Sequence, residues 1–122
     1  MKINVANFSS ALPNKLSIAN SVPNGVSMRT VKGLFPTLAA FIVPSWSLVK
    51  GYKDKKVSWG AYTRIYYENL AGVDLVSALK KLCALAGQDE LTLCCWEGKD
   101  EEECHRKLLY DMLPENIRGV RA

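Results

Sequence analysis

The sequence predicts an α/β fold: a single compact domain spanning 1–122, with a small, mostly parallel sheet flanked by helices. Three observations carry this. Alternating apolar residues near the start and an apolar run at Leu91–Trp96 read as strands. Several stretches between and after them carry helical periodicity with caps at their ends. The resulting order, two strands, a loop-rich middle, helices, a strand and a helix, suits strands connected by crossovers. A chain of 122 residues can bury one real core.

Taken in order, Lys2–Phe8 holds Ile3 and Val5 in alternation and predicts the first strand. Ser9, Ser10, Pro13 and Asn14 interrupt it, and Leu16–Ala19 predicts a second, short strand. Pro23-Asn24-Gly25 is a turn signal, and Val26–Lys32 lacks a period and reads as loop. Pro36 and Pro44 break two apolar pieces, of which Leu34–Pro36 reads as a core-lining loop. Pro44-Ser45 opens a helix through Trp46, Leu48 and Val49, with proline suited to a first turn. Gly51–Val57 is polar, basic and loop-like.

Ser58 is placed to cap a helix through Tyr62, Ile65, Tyr66 and Leu70, ending at Gly72. Asp74 caps the next, whose apolar stripe is Leu75, Leu79, Leu82, Cys83 and Ala86, with Gly87 as its end. After the Leu91–Trp96 strand, Asp100 with Glu103 resembles a capping box for a helix running to Leu113, stopped by Pro114. Residues 114–122 read as a C-terminal tail.

No run of ~18 apolar residues offers a membrane span, and Met1–Asn4 lacks the apolar stretch of a signal peptide. A cytoplasmic protein with reduced thiols is expected, since the four cysteines do not form a secreted disulfide framework. The net charge of +4 is unevenly spread: residues 1–67 carry nine Lys/Arg against one acid, residues 68–122 seven against eleven. Such a split suits a basic face toward an anionic partner.

The segment Leu91–Arg106 concentrates Cys94, Cys95, Glu97, Cys104, His105 and Arg106 at a strand-to-helix junction, where open α/β sheets keep their ligand sites. His105, Leu108, Leu109 and Met112 fall at i, i+3, i+4 and i+7, which puts His105 on the buried stripe of the last helix. Alternation along the strand sets Cys95 with Leu93 and Cys94 with Trp96 on opposite faces. Cys95, Cys104 and His105 can therefore converge.

Four readings follow. Cys95, Cys104 and His105 are metal-ligand types, but paired C-x-x-C spacing is missing, so no metal or other cofactor is expected and zinc stays the minor alternative. Cys104 near a helix start, with His105 or Glu97 beside it, suits nucleophilic or acid–base work, although the run Glu101–Glu103 opposes thiol activation. Arg106 at the helix start suits a phosphate, with Cys95 lining the site. Finally, the cysteines can be small core residues and His105 a buried cap, with Arg106 paired to Glu97. Separately, Trp46–Tyr67 interleaves Lys50, Lys53, Lys55, Lys56 and Arg64 with Trp46, Tyr52, Trp59, Tyr62, Tyr66 and Tyr67, a pattern able to bind nucleic acid.

Cys95-Trp96-Glu97 and, after six intervening residues, Cys104-His105-Arg106 resemble the C-x-E and C-H-R signature of the domain of unknown function 488 family. Leu16–Ala19 with Pro23, Leu34-Phe35-Pro36, Trp46–Tyr52 with Lys53, and Tyr62–Tyr67 before Leu70 fit the same pattern, so the resemblance covers about residues 16–113. It implies a compact α/β domain with the motif at a βα junction, and functional residues Cys95, Glu97, Cys104, His105 and Arg106. Where members often carry an Asp-x-Arg element after the second strand, this chain has Ser17-Ile18-Ala19-Asn20.

The combined expectation is a pocket for a small anionic ligand, best a nucleotide or nucleic-acid component. Arg106 would take the phosphate, Glu97, Cys104 and His105 would be the catalytic candidates, and Cys95 would line the site. The competing class is a non-enzymatic module that binds nucleic acid or protein through residues 46–67.

Overall fold

Five parallel strands in the order β3-β2-β4-β1-β5 form the sheet of the computed structural model, which describes residues 1–98 and 100–122. The α/β expectation therefore holds, and the sheet is parallel throughout. β1 (Lys2–Asn7) and β4 (Glu90–Cys95) are the central pair, in register from Lys2 opposite Glu90 to Asn7 opposite Cys95. Ile3, Val5, Leu91 and Leu93 are wholly buried, as strands covered on both faces require. β2 (Lys15–Ser17) lies on the other side of β4, and β3 (Arg29–Thr30) closes that edge. Ile18 and Ala19, expected in the second strand, run past its end, although the Ile18 amide still donates to the Cys94 carbonyl at 2.9 Å.

The segment expected to be loop before Leu34 instead ends in β3 and a single helical turn, α1 (Val31–Leu34), whose cap is the Thr30 hydroxyl accepting from the Gly33 amide. α2 (Pro36–Ile42) follows, with Pro36 at its first turn, where a missing N–H costs nothing. Leu38, Ala39 and Ile42 face the core. The proline expected to open the next helix sits outside it: Ser45 is the cap of α3 (Trp46–Lys53), and Pro44 precedes the cap. α3 also runs three residues into the segment read as loop, through Gly51, Tyr52 and Lys53.

α4 (Trp59–Leu70) and α5 (Leu75–Ala86) form as expected, capped by Ser58 and Asp74. Gly87 ends α5 in the left-handed conformation, φ +71°, which glycine adopts without a side-chain penalty. Their buried stripes, Tyr62, Tyr66 and Leu70 on α4 and Leu79, Leu82 and Ala86 on α5, join the strand residues in one core. Each fully buried leucine there contributes about 1.5–3 kcal/mol.

The last helix, α6 (His105–Asp111), is shorter than expected at both ends. Asp100 and Glu103 make no capping box. Glu103 instead donates its amide to the Glu101 carboxylate at 2.9 Å, and Cys104 is the cap residue. His105, Leu108 and Leu109 are buried, but Met112 falls past the helix end and is 52% exposed. The stretch expected to be a tail is structured: a 3-10 turn (Glu115–Ile117) leads into β5 (Arg118–Arg121), which pairs with β1. Asn4 fixes this pairing, as its Oδ1 accepts from the Val120 amide at 2.8 Å while its Nδ2 donates to Glu90 and Thr92.

The chain passes from β2 outward to β3, but from β4 across β1 to β5. The connections leaving the adjacent strands β2 and β4 thus diverge, which opens a crevice beyond their carboxyl ends.

Candidate functional site

A cavity of about 290 Å³ occupies that crevice. Ala19, Asn20 and Ser21, which follow β2, form one side, and Cys95, Trp96 and Glu97, at and after the end of β4, form its floor. Glu103, Cys104 and His105 enter from the start of α6. Trp46, Val49, Tyr52 and Lys53 from α3 and Trp59 and Tyr62 from α4 complete the wall.

The aromatic wall is built by packing ring on ring. Trp59 and Tyr62, three residues apart on α4, stack with centroids 5.0 Å apart, and Tyr52 tilts against both at 5.4 and 5.6 Å. Tyr66 stands behind them, its hydroxyl donating to the Ile42 carbonyl at 2.7 Å and its ring 5.8 Å from His105. Across the cavity, Trp96 packs edge-on against Phe8 at 5.3 Å and donates its indole N–H to Ser21. Trp46 and Trp96 are 59% and 49% exposed, so wide apolar faces are left uncovered beside the cavity.

At the floor, alternation along β4 sends Cys95 into the site and Cys94 to the other face. The Cys94 thiol, buried, is pushed up to about 12 by desolvation and is chemically quiet. Cys95 differs. Burial alone would raise its thiol, but the neighbouring Cys104 thiol and the Arg106 guanidinium outweigh it and hold Cys95 below the ordinary thiol range. Arg106 Nη1 donates to Cys95 Sγ at 3.1 Å. Cys104 is its opposite: the hydrogen bond with Cys95, then burial, push it far up, so it stays a thiol and donates to Glu97 Oε2 at 3.2 Å. Burial also opposes ionisation of Glu97, yet the hydrogen bonds from Cys104 and the backbone prevail and hold its carboxyl below the usual range.

His105 is buried, and desolvation lowers it to about 4, so the ring is neutral. Its Nε2 lies 2.9 Å from the Ile18 carbonyl oxygen, which accepts the ring N–H. The free lone pair therefore belongs to Nδ1. Cys95, Cys104 and His105 each offer a ligand atom, all within 4.8 Å of one another. Their convergence, read from strand alternation and helix period, is thus present. Above them, the Tyr52 hydroxyl donates to Glu103 at 2.7 Å, and this hydrogen bond raises Tyr52 to about 12.

Arg106 does not face the cavity. It is fully buried, and donates to the carbonyls of Glu97 at 3.1 Å and, through Nη2, of Gly98 at 2.8 Å and Ala122 at 2.9 Å. Its Nε has no partner among the described residues. The expected phosphate-binding arginine is a strut joining the β4–α6 loop to the end of β5. It meets Glu97 through the backbone carbonyl rather than the carboxylate. Among the described residues, the cation that lines the cavity is Lys53.

Of the basic residues in the Trp46–Tyr67 stretch, Lys50 pairs with Asp54 at 2.7 Å, Lys55 and Lys56 are exposed in the turn after α3, and Arg64 is exposed on the side of α4 away from Tyr62. Of the aromatic residues of that stretch, read as a separate surface, Trp46, Tyr52, Trp59 and Tyr62 line the Cys-His site and Tyr66 stands behind them, whereas Tyr67 is not part of the lining. Asn20, Ser21 and Glu103 belong to the site without having been marked by the sequence. The position of Asn20 and Ser21 just past a strand hinted at it, as did the place of Ser17–Asn20 where family members often carry an Asp-x-Arg element.

All four cysteines are free thiols. Among the described residues no helix is long and apolar enough to cross a membrane. No curated protein and no solved structure matches the chain. The family model described as the active DUF488-N3 subclade matches residues 12–117, which takes in every element from β2 to the 3-10 turn and the whole Cys-His-Arg junction, and the chain belongs to the DUF488 family.

Proposed function

We propose that the crevice binds a nucleotide component base-first, with the base against the aromatic wall and the phosphate outward. The observation that carries this is the composition of the cavity: Trp46, Tyr52, Trp59, Tyr62 and Trp96 supply ring faces, and among the described residues Glu97 and Glu103 outnumber Lys53. The two carboxylates at the lining favour a ligand that brings N–H or hydroxyl donors to them over a bare anion. A planar heterocycle stacks on such walls for about 1–3 kcal/mol per base, and its N–H groups or the ribose hydroxyls suit an ionised Glu97. Lys53, with Lys55 and Lys56 in the turn beyond it, supplies the positive charge for a phosphate at the mouth.

Glu97 and Cys95, both held toward their ionised forms, are the groups available for chemistry on that ligand. The description of the family as an active subclade accords with a catalytic role. His105, neutral and tied to Ile18, orients rather than transfers protons.

The test is quenching of tryptophan fluorescence by nucleoside monophosphates, with ribose 5-phosphate and inorganic phosphate as controls. Saturable quenching by the base-bearing ligands is expected. Glu97→Gln should weaken it about tenfold, or about 1.4 kcal/mol, and Trp59→Ala by a similar factor. Equal competition by ribose 5-phosphate, or no quenching by any nucleotide, would overturn the reading. Binding of polynucleotide alone, lost at moderate salt and indifferent to Glu97→Gln, would favour the basic surface instead.

A further inference from the structure

Two thiols and an imidazole meet at the cavity floor from three fixed backbone positions. Cys95 ends β4, Cys104 caps α6, and His105 is the first residue of α6. We propose that Cys95, Cys104 and His105 hold one divalent transition-metal ion, zinc by the character of the donors, with an open position facing the cavity.

The geometry supports this in four ways. All three donor atoms lie within 4.8 Å of one another, close enough to share an ion with small side-chain adjustments. The Ile18 carbonyl accepts the Nε2–H, as backbone carbonyls do for metal-bound histidines, so Nδ1 is the ring nitrogen with a free lone pair. All three residues line the cavity, so a ligand or water can reach the fourth position. A set of two cysteines and one histidine is also the three-ligand kind that leaves a zinc site open, in contrast to the closed four-ligand sites marked by paired C-x-x-C spacing.

Charge completes the case. An occupied site would hold two thiolates beside the Glu97 carboxylate, the ion having displaced the Cys104 proton that Glu97 Oε2 accepts at 3.2 Å in the free site. Those three negative charges balance a divalent cation together with Arg106, whose Nη1 donates to Cys95 Sγ at 3.1 Å. The buried arginine serves the site as a counter-charge and a thiolate hydrogen-bond donor.

Cobalt is the probe. The protein is stripped with chelator under reducing conditions, and Co²⁺ is added without any nucleotide, which separates this outcome from that of the base-binding test. A near-ultraviolet thiolate-to-cobalt band and intense visible bands of a tetrahedral site should saturate at one equivalent, and Zn²⁺ should bleach them. Cys95→Ser and Cys104→Ser should each abolish the near-ultraviolet band or cut it by half or more, and Cys83→Ser should leave it intact. Because the primary reading is on the unaltered protein, misfolding of a variant cannot mimic success. No thiolate-to-cobalt band in protein whose four thiols react fully after denaturation would overturn the proposal, and so would a band unchanged in both Cys95→Ser and Cys104→Ser.

Discussion

Arg106 is a charged side chain in the interior whose work is done on backbone. Its guanidinium fork serves carbonyls of Glu97, Gly98 and Ala122, which tie the loop after β4 to the end of β5. Removing it leaves three part-buried carbonyls without their charged donor, and a hydrogen bond to a charged group is worth about 1.5–3 kcal/mol. Arg106→Met is therefore expected to lower unfolding free energy by about 3 kcal/mol or more, measured by urea denaturation. Arg106→Lys should cost nearly as much, because a point ammonium cannot span divergent carbonyls. A midpoint within error of the parent for Arg106→Lys would contradict this role. His105 was legible from its place on the α6 stripe. The role of Arg106 was not, since a helix-start arginine looks the same in sequence whether it meets a ligand or carbonyls contributed by residue 122.

Elements whose information is local were the readable ones. α4 and α5 declare themselves through Ser58, Asp74 and Gly87 together with a sustained apolar stripe. Ser58→Ala and Asp74→Ala are each expected to cost about 1 kcal/mol in the same denaturation assay. β3, α1 and β5 were unreadable for the opposite reason. Two residues cannot show a period, a single turn cannot show a stripe, and β5 is strand only because β1 and Asn4 receive it. Gly119 marks that dependence: an added Cβ would collide with the Asn4 side chain. Gly119→Ala should detach β5, so that the Val120 and Ala122 amides lose hydrogen-exchange protection while α5 keeps it. Unchanged protection in β5 would show that Asn4 yields without loss.

Across the whole molecule, the site exists because of how the chain winds. Divergence of the connections leaving β2 and β4 opens the crevice, and the long α3–α4 excursion returns to wall it with rings. The junction Cys95–Arg106 was legible because strand alternation and helix period are local. The union of the Trp46–Tyr67 aromatics with that junction was not, because it rests on contacts such as Tyr52 to Glu103, 51 residues apart. Aromatic residues and a Cys-His junction that are separate in sequence line a single cavity in the fold.

The most direct test is amide and indole chemical-shift mapping of the isotope-labelled protein with an unlabelled nucleoside monophosphate at physiological salt. The account predicts saturable shifts concentrated at Ala19–Ser21, Tyr52, Trp59, Cys95–Glu97 and His105, with the indole signals of Trp46, Trp59 and Trp96 among the largest. Shifts confined to Lys50–Lys56 and erased by salt, or no shifts at all, would contradict it.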